Sequence, residues 1–469
     1  MQQFKRYLDK TGMEHKKYQY DGVSWIVSNE LSSTPTCGVR GGFLADEMGL
    51  GKTIMMIGVF LENFVPNTLI IVPPILIDQW YNQIFKTAGH KALVFHGYRK
   101  KRTTLQQLLQ AKIVITSYAN ISLSKQQDSL SILHQIKWNR VVFDEAHHLR
   151  NSNTRVFYGA KMLRSDIRWL VSGTPIQNKK KDFYNLCSII GLPKEFYTNC
   201  NNLSLLSRSF ILKRTKIQVG IEISKIVVNN IIVQWKNSRE RQLSECIHAN
   251  LPFSNVIQQP KNQPVILSDH YNMLTLMLKA RQSCILPRLM LVSFQNLVEL
   301  GYISNFDCYK DAFNYTSKLD AVIESILQNK NNGNGKLIFC HFREEIAEIT
   351  RRLIYGGVNK VVYIDGTTTK NKRKSILQNK YDVLILQIQT GCEGLNLQDN
   401  YNEIYFTSPH WNPAIEEQAI ARCHRIGQTK SVLVKRFEMG QFIQDNTLSI
   451  DNYVNTIQLN KKNIANEIL

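Results

Sequence analysis

Short apolar runs alternate along the chain with stretches in which apolar residues recur at helical spacing. In the first half, the runs that predict strands are Gly42–Ala45, Thr68–Val72, Ala92–Phe95, Lys112–Thr116, Arg140–Phe143 and Trp169–Ser172. A second series comprises Lys336–Cys340, Val361–Ile364, Val383–Leu386, Glu403–Phe406 and Ser431–Val434. Strands that alternate with helical segments are typical of parallel α/β layers. We therefore expect an α/β fold with two lobes, each built on a parallel sheet.

The region between the two series has a different pattern. Residues 218–310 lack strand–helix alternation, and Tyr271–Leu286 shows helical spacing. Asn329–Gly335 contains only Asn, Lys and Gly and is expected to form a loop. The predicted domains are a nucleotide-binding lobe at 1–217, a helical inter-lobe insert at 218–316 and a second lobe at 317–469.

A phosphate loop is predicted directly after the first strand. The sequence there is Asp46-Glu47-Met48-Gly49-Leu50-Gly51-Lys52-Thr53, followed by the apolar helical segment Thr53–Phe64. Gly49 and Gly51 permit a tight backbone path, Lys52 supplies a cation for the β- and γ-phosphates, and Thr53 supplies a hydroxyl for Mg²⁺. Asp46 stands where the strict pattern has glycine. The motif nevertheless predicts an ATP site.

An acidic pair follows another apolar strand. Asp144 and Glu145 come after Val141-Val142-Phe143. Beside a phosphate loop, Asp144 is expected to hold Mg²⁺ and Glu145 to activate the attacking water, although two such carboxylates could instead cap a helix. His147-His148 has no third ligand in register, which favours a structural role over a metal site.

Composition narrows the choice of partners. The chain has 469 residues, and 58 basic against 37 acidic residues give a net charge of +21. This excess favours a polyanion such as nucleic acid, although a solvated basic surface would give the same balance.

None of the nine cysteines forms a Cys-x-x-Cys pair, so we expect no structural zinc. The longest apolar run, Leu69–Ile77, is too short for a bilayer, and we expect a soluble intracellular protein without a membrane partner.

The ordered motifs make the chain resemble a SWI/SNF-type superfamily 2 helicase-like DNA-dependent ATPase. They are Leu44–Thr53, Leu69–Pro73 with Gln79-Trp80, Thr116–Tyr118, Asp144–His147 (a DEAH-type box), Ser172–Asn178, Ile364–Gly366, Gly391–Leu397, Trp411–Pro413 and Gln418–Gln428. The resemblance implies two tandem RecA-like lobes with a helical insert. It also implies a C-terminal brace helix over Ser449–Lys462.

The resemblance also assigns roles to individual residues. Gln19 corresponds to the glutamine that reads the adenine edge, and Gly394 is expected to contribute to nucleotide binding. Arg422 and Arg425 correspond to arginines that reach the γ-phosphate from the second lobe. Such guanidinium groups would stabilise charge in the transition state. The implied cofactors are ATP and Mg²⁺.

The resemblance implies a translocase on double-stranded DNA that remodels protein–DNA complexes. DNA-bound proteins or nucleosomes are the expected partners, in the nucleus or a viral replication compartment. The expected strand contacts are Pro73-Pro74, Thr116-Ser117, Gly366–Thr368 and Gly391–Asn396, with the basic runs Arg99–Arg102 and Lys179–Lys181 as further candidates. A strand-separating DNA or RNA helicase and an inactive nucleic-acid-binding scaffold remain alternatives.

Three segments depart from the family pattern. Gln387 and Gln389 stand where small or hydroxyl residues are usual. Lys213–Lys216 replaces an Arg-Arg pair but keeps its positive charge, and Leu286 replaces a common histidine. The two glutamines predict that the second lobe contacts the nucleic-acid strand differently from the family pattern.

Overall fold

The computed structural model describes residues 1–123, 130–173, 180–251, 253, 272–300, 306–391, 395–442 and 448–468. The chain divides into two compact units. The first comprises Met1–Glu222 together with Lys461–Leu469, and the second comprises Ile223–Asn460.

The first unit is an α/β layer structure. Its strands are β1 (Arg40–Leu44), β2 (Thr68–Val72), β3 (Leu93–Phe95), β4 (Ile113–Ser117), β5 (Lys137–Asp144), β6 (Arg164–Val171) and β7 (Ile211–Leu212). Its helices are α1 (Gln2–Thr11), α2 (Lys17–Glu30), α3 (Lys52–Glu62), α4 (Ile77–Ala88), α5 (Tyr98–Arg102), α6 (Leu105–Gln110), α7 (Tyr118–Ile121), α8 (Arg155–Met162), α9 (Lys180–Ile190), α10 (Lys194–Thr198) and α11 (Leu203–Phe210).

All neighbouring strands of the first sheet run parallel. The order is β3-β4-β2-β5-β6-β1-β7. Every residue of β2 and of β4 is buried, which explains why these central strands are continuous apolar runs without alternation. Since parallel strands end at the same edge, the loops after β1, β2, β4, β5 and β6 emerge together.

The second unit repeats this architecture. Its strands are β8 (Ile226–Val233), β9 (Lys336–Cys340), β10 (Val361–Ile364), β11 (Val383–Gln387), β12 (Glu403–Phe406) and β13 (Val432–Met439). Its helices are α12 (Ser238–His248), α13 (Met273–Ile285), α14 (Leu291–Glu299), α15 (Ser317–Gln328), α16 (Arg343–Tyr355), α17 (Lys370–Gln378), α18 (Ile388–Gly391) and α19 (Pro413–Ile420), with most of α20 (Ile450–Ile468).

The second sheet is also parallel, in the order β10-β11-β9-β12-β13-β8. Helices α12, α13 and α14 contribute Leu243, Leu276 and Phe294 to a hydrophobic cluster that also contains Ile338 and Ile385 of the sheet. The helical region between the two strand series therefore shares its core with the second sheet.

Most predicted elements are confirmed, and the α/β class with two parallel sheets is correct. Strands β2, β9, β10 and β12 have the predicted bounds, and Asn329–Gly335 contains no helix or strand. Two strands were missed. They are the two-residue β7, which pairs with β1, and β8, which lies in the region predicted to be helical and pairs with β13. Within the described residues, no helix combines the length and apolar character needed to cross a membrane.

Candidate nucleotide site and nucleic-acid edge

Three strand ends bring the predicted catalytic residues of the first unit to one edge of its sheet. In the strand register, Val171 of β6 lies opposite Leu44 of β1 on one side and Asp144 of β5 on the other. The phosphate loop follows Leu44 directly, so it emerges two strands away from Asp144. Burial and the Glu145 charge raise the pKa of Asp144, and the nearby Lys52 charge opposes this rise only in part.

The phosphate loop requires glycine at two points. Gly49 has φ 91°, and Gly51 has φ 84° where it caps the N-terminus of α3. Lys52 begins that helix, and its Nζ donates to the carbonyl oxygens of Asp46 at 2.8 Å and Glu47 at 3.4 Å. The ammonium group is therefore folded over the loop, where an anion bound to the helix N-terminus would meet it.

Gln19 lies directly against the loop. Its side chain is buried, and Nε2 donates to the Leu50 carbonyl at 3.2 Å. A Cβ placed on Gly51 would lie 2.6 Å from that Nε2. The positive φ therefore strains any larger residue at Gly51, and its Cβ would also displace the Gln19 amide from the loop.

Two ion pairs hold the acidic start of the loop. Arg214 donates to both carboxylate oxygens of the buried Asp46, at 3.1 and 2.6 Å, and to the Tyr18 carbonyl at 2.6 Å. Lys216 Nζ lies 3.0 Å from a carboxylate oxygen of Glu47. The charge of this basic segment is evident from the sequence, but its place beside the phosphate loop is not. Asp46, which departs from the strict glycine pattern, is thus the acceptor of a buried ion pair.

Asp144 sits in a buried, negatively charged environment. Burial, with the adjacent Glu145 charge second, raises the pKa of Asp144 to about 7. Trp80 opposes this shift, because its indole Nε1 donates to Asp144 Oδ2 at 2.7 Å. Glu145 has φ 53°, an uncommon value for a residue with a side chain, and its carboxylate lies 3.3 Å from His147 Nδ1.

The segment after β6 contacts the phosphate loop. Ser172 N donates to the Leu44 carbonyl at 3.1 Å. A Cβ on Gly173 would lie 2.9 Å from Met48 Cγ and 3.3 Å from Lys52 Nζ. The remainder of the motif, from Thr174 to Asn178, lies outside the described residues.

Arg422 and Arg425 belong to the second unit, just after α19. The Arg425 guanidinium donates to Asn396 Oδ1, and the Arg422 carbonyl accepts from Leu397 N at 3.0 Å. Burial, with the Arg422 charge second, lowers the pKa of Arg425. These contacts join the arginine segment to the end of the Gly391–Leu397 motif. Gly394 lies outside the described residues.

The segments predicted to contact the nucleic-acid strand also lie at the ends of β-strands. Pro73-Pro74 comes after β2, Thr116-Ser117 ends β4, and Val72 lies opposite Ser117 in the register. In the second unit, Gln387 Oε1 accepts from Gly366 N at 3.2 Å, so the unusual glutamine braces a predicted contact loop.

The described residues of the two basic runs lie in helices α5 and α9 of the first unit. Arg99–Arg102 forms most of α5 and is exposed. Lys180 and Lys181 begin α9, whereas Lys179 lies outside the described residues.

A resident metal cluster is not found in the described ranges, since none of their His, Cys, Asp and Glu side chains form a group of three or more that could hold an ion. A nucleotide-borne Mg²⁺ needs fewer protein ligands, because it commonly keeps several waters and the substrate phosphates.

Comparisons with known proteins identify two families. The SNF2-related domain matches residues 18–289, and the helicase conserved C-terminal domain matches residues 317–427. An "Uncharacterized ATP-dependent helicase" of Mycoplasma pneumoniae is 29% identical over 97% of this chain and 43% of that protein. "ATP-dependent DNA helicase DDM1" of Arabidopsis thaliana is 27% identical over 93% of this chain and 60% of that protein. The chain thus spans about two fifths of the length of the first relative.

The chain is also similar to solved structures. The "Sulfolobus solfataricus SWI2/SNF2 ATPase core in complex with dsDNA" is 25% identical, over 97% of this chain and 93% of that chain, with a TM-score of 0.41.

Proposed function

This chain belongs to the SNF2-related domain family, and we propose that it hydrolyses ATP to move along double-stranded DNA and remodel protein–DNA complexes. The observation that carries the proposal is the common sheet edge of the first unit. There the phosphate loop with Lys52 and the Asp144–Glu145 pair follow β1 and β5, which are separated by the single strand β6. This arrangement suits phosphoryl transfer, in which positioning and charge stabilisation do most of the work.

Nucleotide binding is assigned to the loop and to Gln19. The backbone N–H groups at the start of α3 would face the phosphates, and Lys52 would exchange its loop carbonyls for phosphate oxygens. The Gln19 amide, held against Leu50, is assigned to the adenine edge.

Mg²⁺ fits the donors at this edge. Asp144 and Glu145 place two carboxylates side by side. Burial disfavours the charge of Asp144, and a divalent cation would supply the missing positive charge. Asp144 and the Thr53 hydroxyl would hold the ion, both of them the hard oxygen ligands that Mg²⁺ prefers. When bound, Mg²⁺ neutralises charge on the β- and γ-phosphates.

The remaining catalytic roles belong to both units. Glu145 would orient the attacking water and accept its proton. Arg422 and Arg425 would stabilise charge on the transferred phosphoryl group during turnover. We infer that nucleotide binding drives the two units together and that hydrolysis releases them, which advances the protein along DNA.

Duplex DNA is the proposed polymer. The net charge of +21 supports a polyanionic partner. The segments that follow β2 and β4 emerge side by side at the sheet edge, and we assign them to phosphate contacts rather than to base reading. One relative is named an ATP-dependent DNA helicase, which supports DNA over RNA. DNA-bound proteins or nucleosomes are the proposed objects of remodelling.

Phosphate release with duplex DNA, single-stranded DNA and RNA tests the proposal. We expect stimulation by duplex DNA, displacement of a triplex-forming strand and no separation of a labelled duplex. Duplex separation would instead support the strand-separating helicase. DNA binding without phosphate release under any condition would support the inactive scaffold.

Two variants separate the roles within the first unit. Lys52→Ala is expected to abolish hydrolysis and to leave most of the DNA affinity, because DNA contacts are assigned to other strand ends. Glu145→Gln is expected to bind ATP and retain it unhydrolysed. Equal loss of hydrolysis and DNA affinity in the first variant, or rapid turnover by the second, would contradict these assignments.

A further inference from the structure

Asp144 receives hydrogen bonds from two aromatic side chains, which belong to the helices that follow β2 and β4. Trp80 Nε1 donates to carboxylate Oδ2 at 2.7 Å, and the Tyr118 hydroxyl donates to the main-chain carbonyl of Asp144, also at 2.7 Å. All three residues are buried. The side chain and the backbone of this aspartate are thus each fixed by a separate donor.

These donors originate at the two strand ends that the proposed function assigns to DNA. The chain leaves β2 through Pro73-Pro74 and enters α4, which carries Trp80. Tyr118 directly follows Ser117, the last residue of β4. Since β2 lies between β4 and β5, both paths lead from the neighbouring strand ends to the end of β5.

The indole bond orients the carboxylate. Asp144 Oδ1 accepts from Glu145 N at 3.0 Å, while Oδ2 takes the Trp80 hydrogen bond. The carboxylate plane is therefore set by one donor from its own strand end and one from α4. Partners that hydrogen-bond a metal-binding carboxylate commonly change metal affinity by about 10- to 100-fold when removed.

We propose that Trp80 and Tyr118 are positioning residues that couple the strand ends of β2 and β4 to the Mg²⁺-binding carboxylate of Asp144. The inference rests on the proposed function and names a regulatory route within it. DNA bound after β2 and β4 shifts α4 and Tyr118, and their two hydrogen bonds carry that shift to Asp144. Both residues bond to Asp144, and we assign their effect on the nucleotide site to these two bonds.

The first test removes the indole donor and keeps an aromatic ring. Trp80→Phe is compared with Trp169→Phe, which loses an equivalent buried bond of 2.8 Å from indole Nε1 to the Glu30 carboxylate. Binding of a fluorescent ADP analogue is measured with Mg²⁺ and with EDTA. We expect Trp80→Phe to lose about 10- to 100-fold of the Mg²⁺-dependent gain in affinity, with unchanged binding in EDTA.

Trp169→Phe is expected to keep the full Mg²⁺-dependent gain. If both tryptophan variants keep it, the indole does not position Asp144 and the inference is wrong. Circular dichroism of both variants shows whether each remains folded, and a common loss of fold would appear equally in EDTA.

The second test concerns coupling to DNA. Tyr118→Phe is compared with Tyr7→Phe, whose lost hydroxyl accepts from Gln83 Nε2 at 2.9 Å elsewhere in the first unit. The ratio of duplex-stimulated to basal hydrolysis is expected to fall by about five-fold or more in Tyr118→Phe and in Trp80→Phe, and to stay unchanged in Tyr7→Phe.

The double variant Trp80→Phe/Tyr118→Phe completes a cycle that measures whether the two bonds act together. Unaltered stimulation in all three variants would overturn the coupling. If duplex DNA fails to stimulate the wild-type chain, the proposed function itself fails, and the Mg²⁺-dependent affinity still decides whether Trp80 positions Asp144.

Discussion

Glu30 shows how single residues of the first unit stabilise buried charge. Its carboxylate accepts from Arg140 Nε at 2.8 Å and again from Arg140 Nη2. It also accepts from Trp169 Nε1 and Asn63 Nδ2, both at 2.8 Å. The Glu30 and Arg140 side chains have no exposed surface. Four donors on one buried carboxylate offset the cost of removing both charges from water.

Arg140→Leu is expected to lower the free energy of unfolding by about 3–5 kcal/mol, because it leaves Glu30 buried without its counter-charge. Lys137→Leu on the same strand is the matched control. Its pair with Asp166 is exposed on both sides, so about 1 kcal/mol or less should be lost. Hydrogen exchange of the β5 amides, followed as a function of urea concentration, measures the free energy of unfolding of both variants. A similar loss in the two variants would show that burial does not govern the cost.

Gly51→Ala is expected to weaken ADP binding by about ten-fold or more, since a positive φ and the 2.6 Å approach to Gln19 Nε2 both oppose the new methyl group. Gly12→Ala is the control, because Gly12 has φ 64° but nothing within 4 Å of its Cβ. The control should lose about 1 kcal/mol of stability and no ADP affinity. Calorimetric titration measures the ADP affinity of both variants and so distinguishes backbone strain alone from a blocked nucleotide site.

At this scale, the sequence predicted residues whose chemistry is local and missed those whose partners are distant. Gly51 and Lys52 could be assigned because a phosphate loop needs them at fixed spacing. The Arg140–Glu30 and Trp80–Asp144 contacts join residues 110 and 64 positions apart. Neither contact has a spacing signature in one sequence, since the fold alone brings the partners together.

At the scale of elements, apolar runs predicted the buried strand β2 but not the mostly exposed edge strand β8. Strand β2 is buried along its whole length, and its apolar run gave the correct bounds. Edge strand β8 is mostly exposed and contains Asn229-Asn230, and asparagine is depleted in strands. Its eight residues pair through backbone bonds with β13, a long-range contact that side-chain pattern does not reveal.

Helices α12 and α20 are joined through a buried histidine. His248 Nδ1 donates to the Ser244 carbonyl at 2.8 Å, and His248 Nε2 accepts from Ile450 N at 3.0 Å. The second bond requires a neutral ring, because a protonated Nε2 would face another N–H. Burial lowers the pKa of His248 from 6.5 to about 4.

The second unit should therefore lose stability in mild acid. Between the folded pKa of about 4 and the unfolded value of 6.5, the unfolded chain binds more protons at His248. The stabilisation is complete above the unfolded value and falls with the pH through this window, by on the order of 3 kcal/mol at its lower end.

His248→Gln keeps an amide oxygen to accept from Ile450 N but does not titrate. As the pH falls from about 7 to about 5, we expect a smaller loss of stability in this variant than in the wild type, measured by urea unfolding. Parallel pH curves for the two proteins would contradict a role for His248.

At the scale of the whole molecule, the sequence predicted two parallel sheets because each has its own series of apolar runs. The proposed boundaries at 217/218 and 316/317 remain a prediction. The structure divides the chain between Glu222 and Ile223 and groups Lys461–Leu469 with the first unit. Helical spacing identified α13, but it could not reveal that Leu276 packs in the same core as Ile338, since core membership depends on tertiary packing.

The two proposed arginines allow the cooperation of the two units to be measured. Lys52 and the phosphate loop lie in the first unit, whereas Arg422 and Arg425 lie in the second. If the arginines act only on the transition state, Arg422→Gln and Arg425→Gln should lower kcat by about 10³-fold or more while leaving ADP affinity unchanged. Lys52→Ala should lower both quantities, because the lysine also meets the bound phosphates.

Arg239→Gln removes one positive charge from an exposed pair of the second unit and should change neither kcat nor ADP affinity. Single-turnover hydrolysis and fluorescent ADP binding give the two readouts on the same preparations. An arginine variant that loses ADP affinity and kcat in equal proportion would mean that its guanidinium binds ground-state nucleotide. A variant that loses neither would confine the chemistry to the first unit, and nucleotide turnover could then no longer be the step that moves one unit against the other.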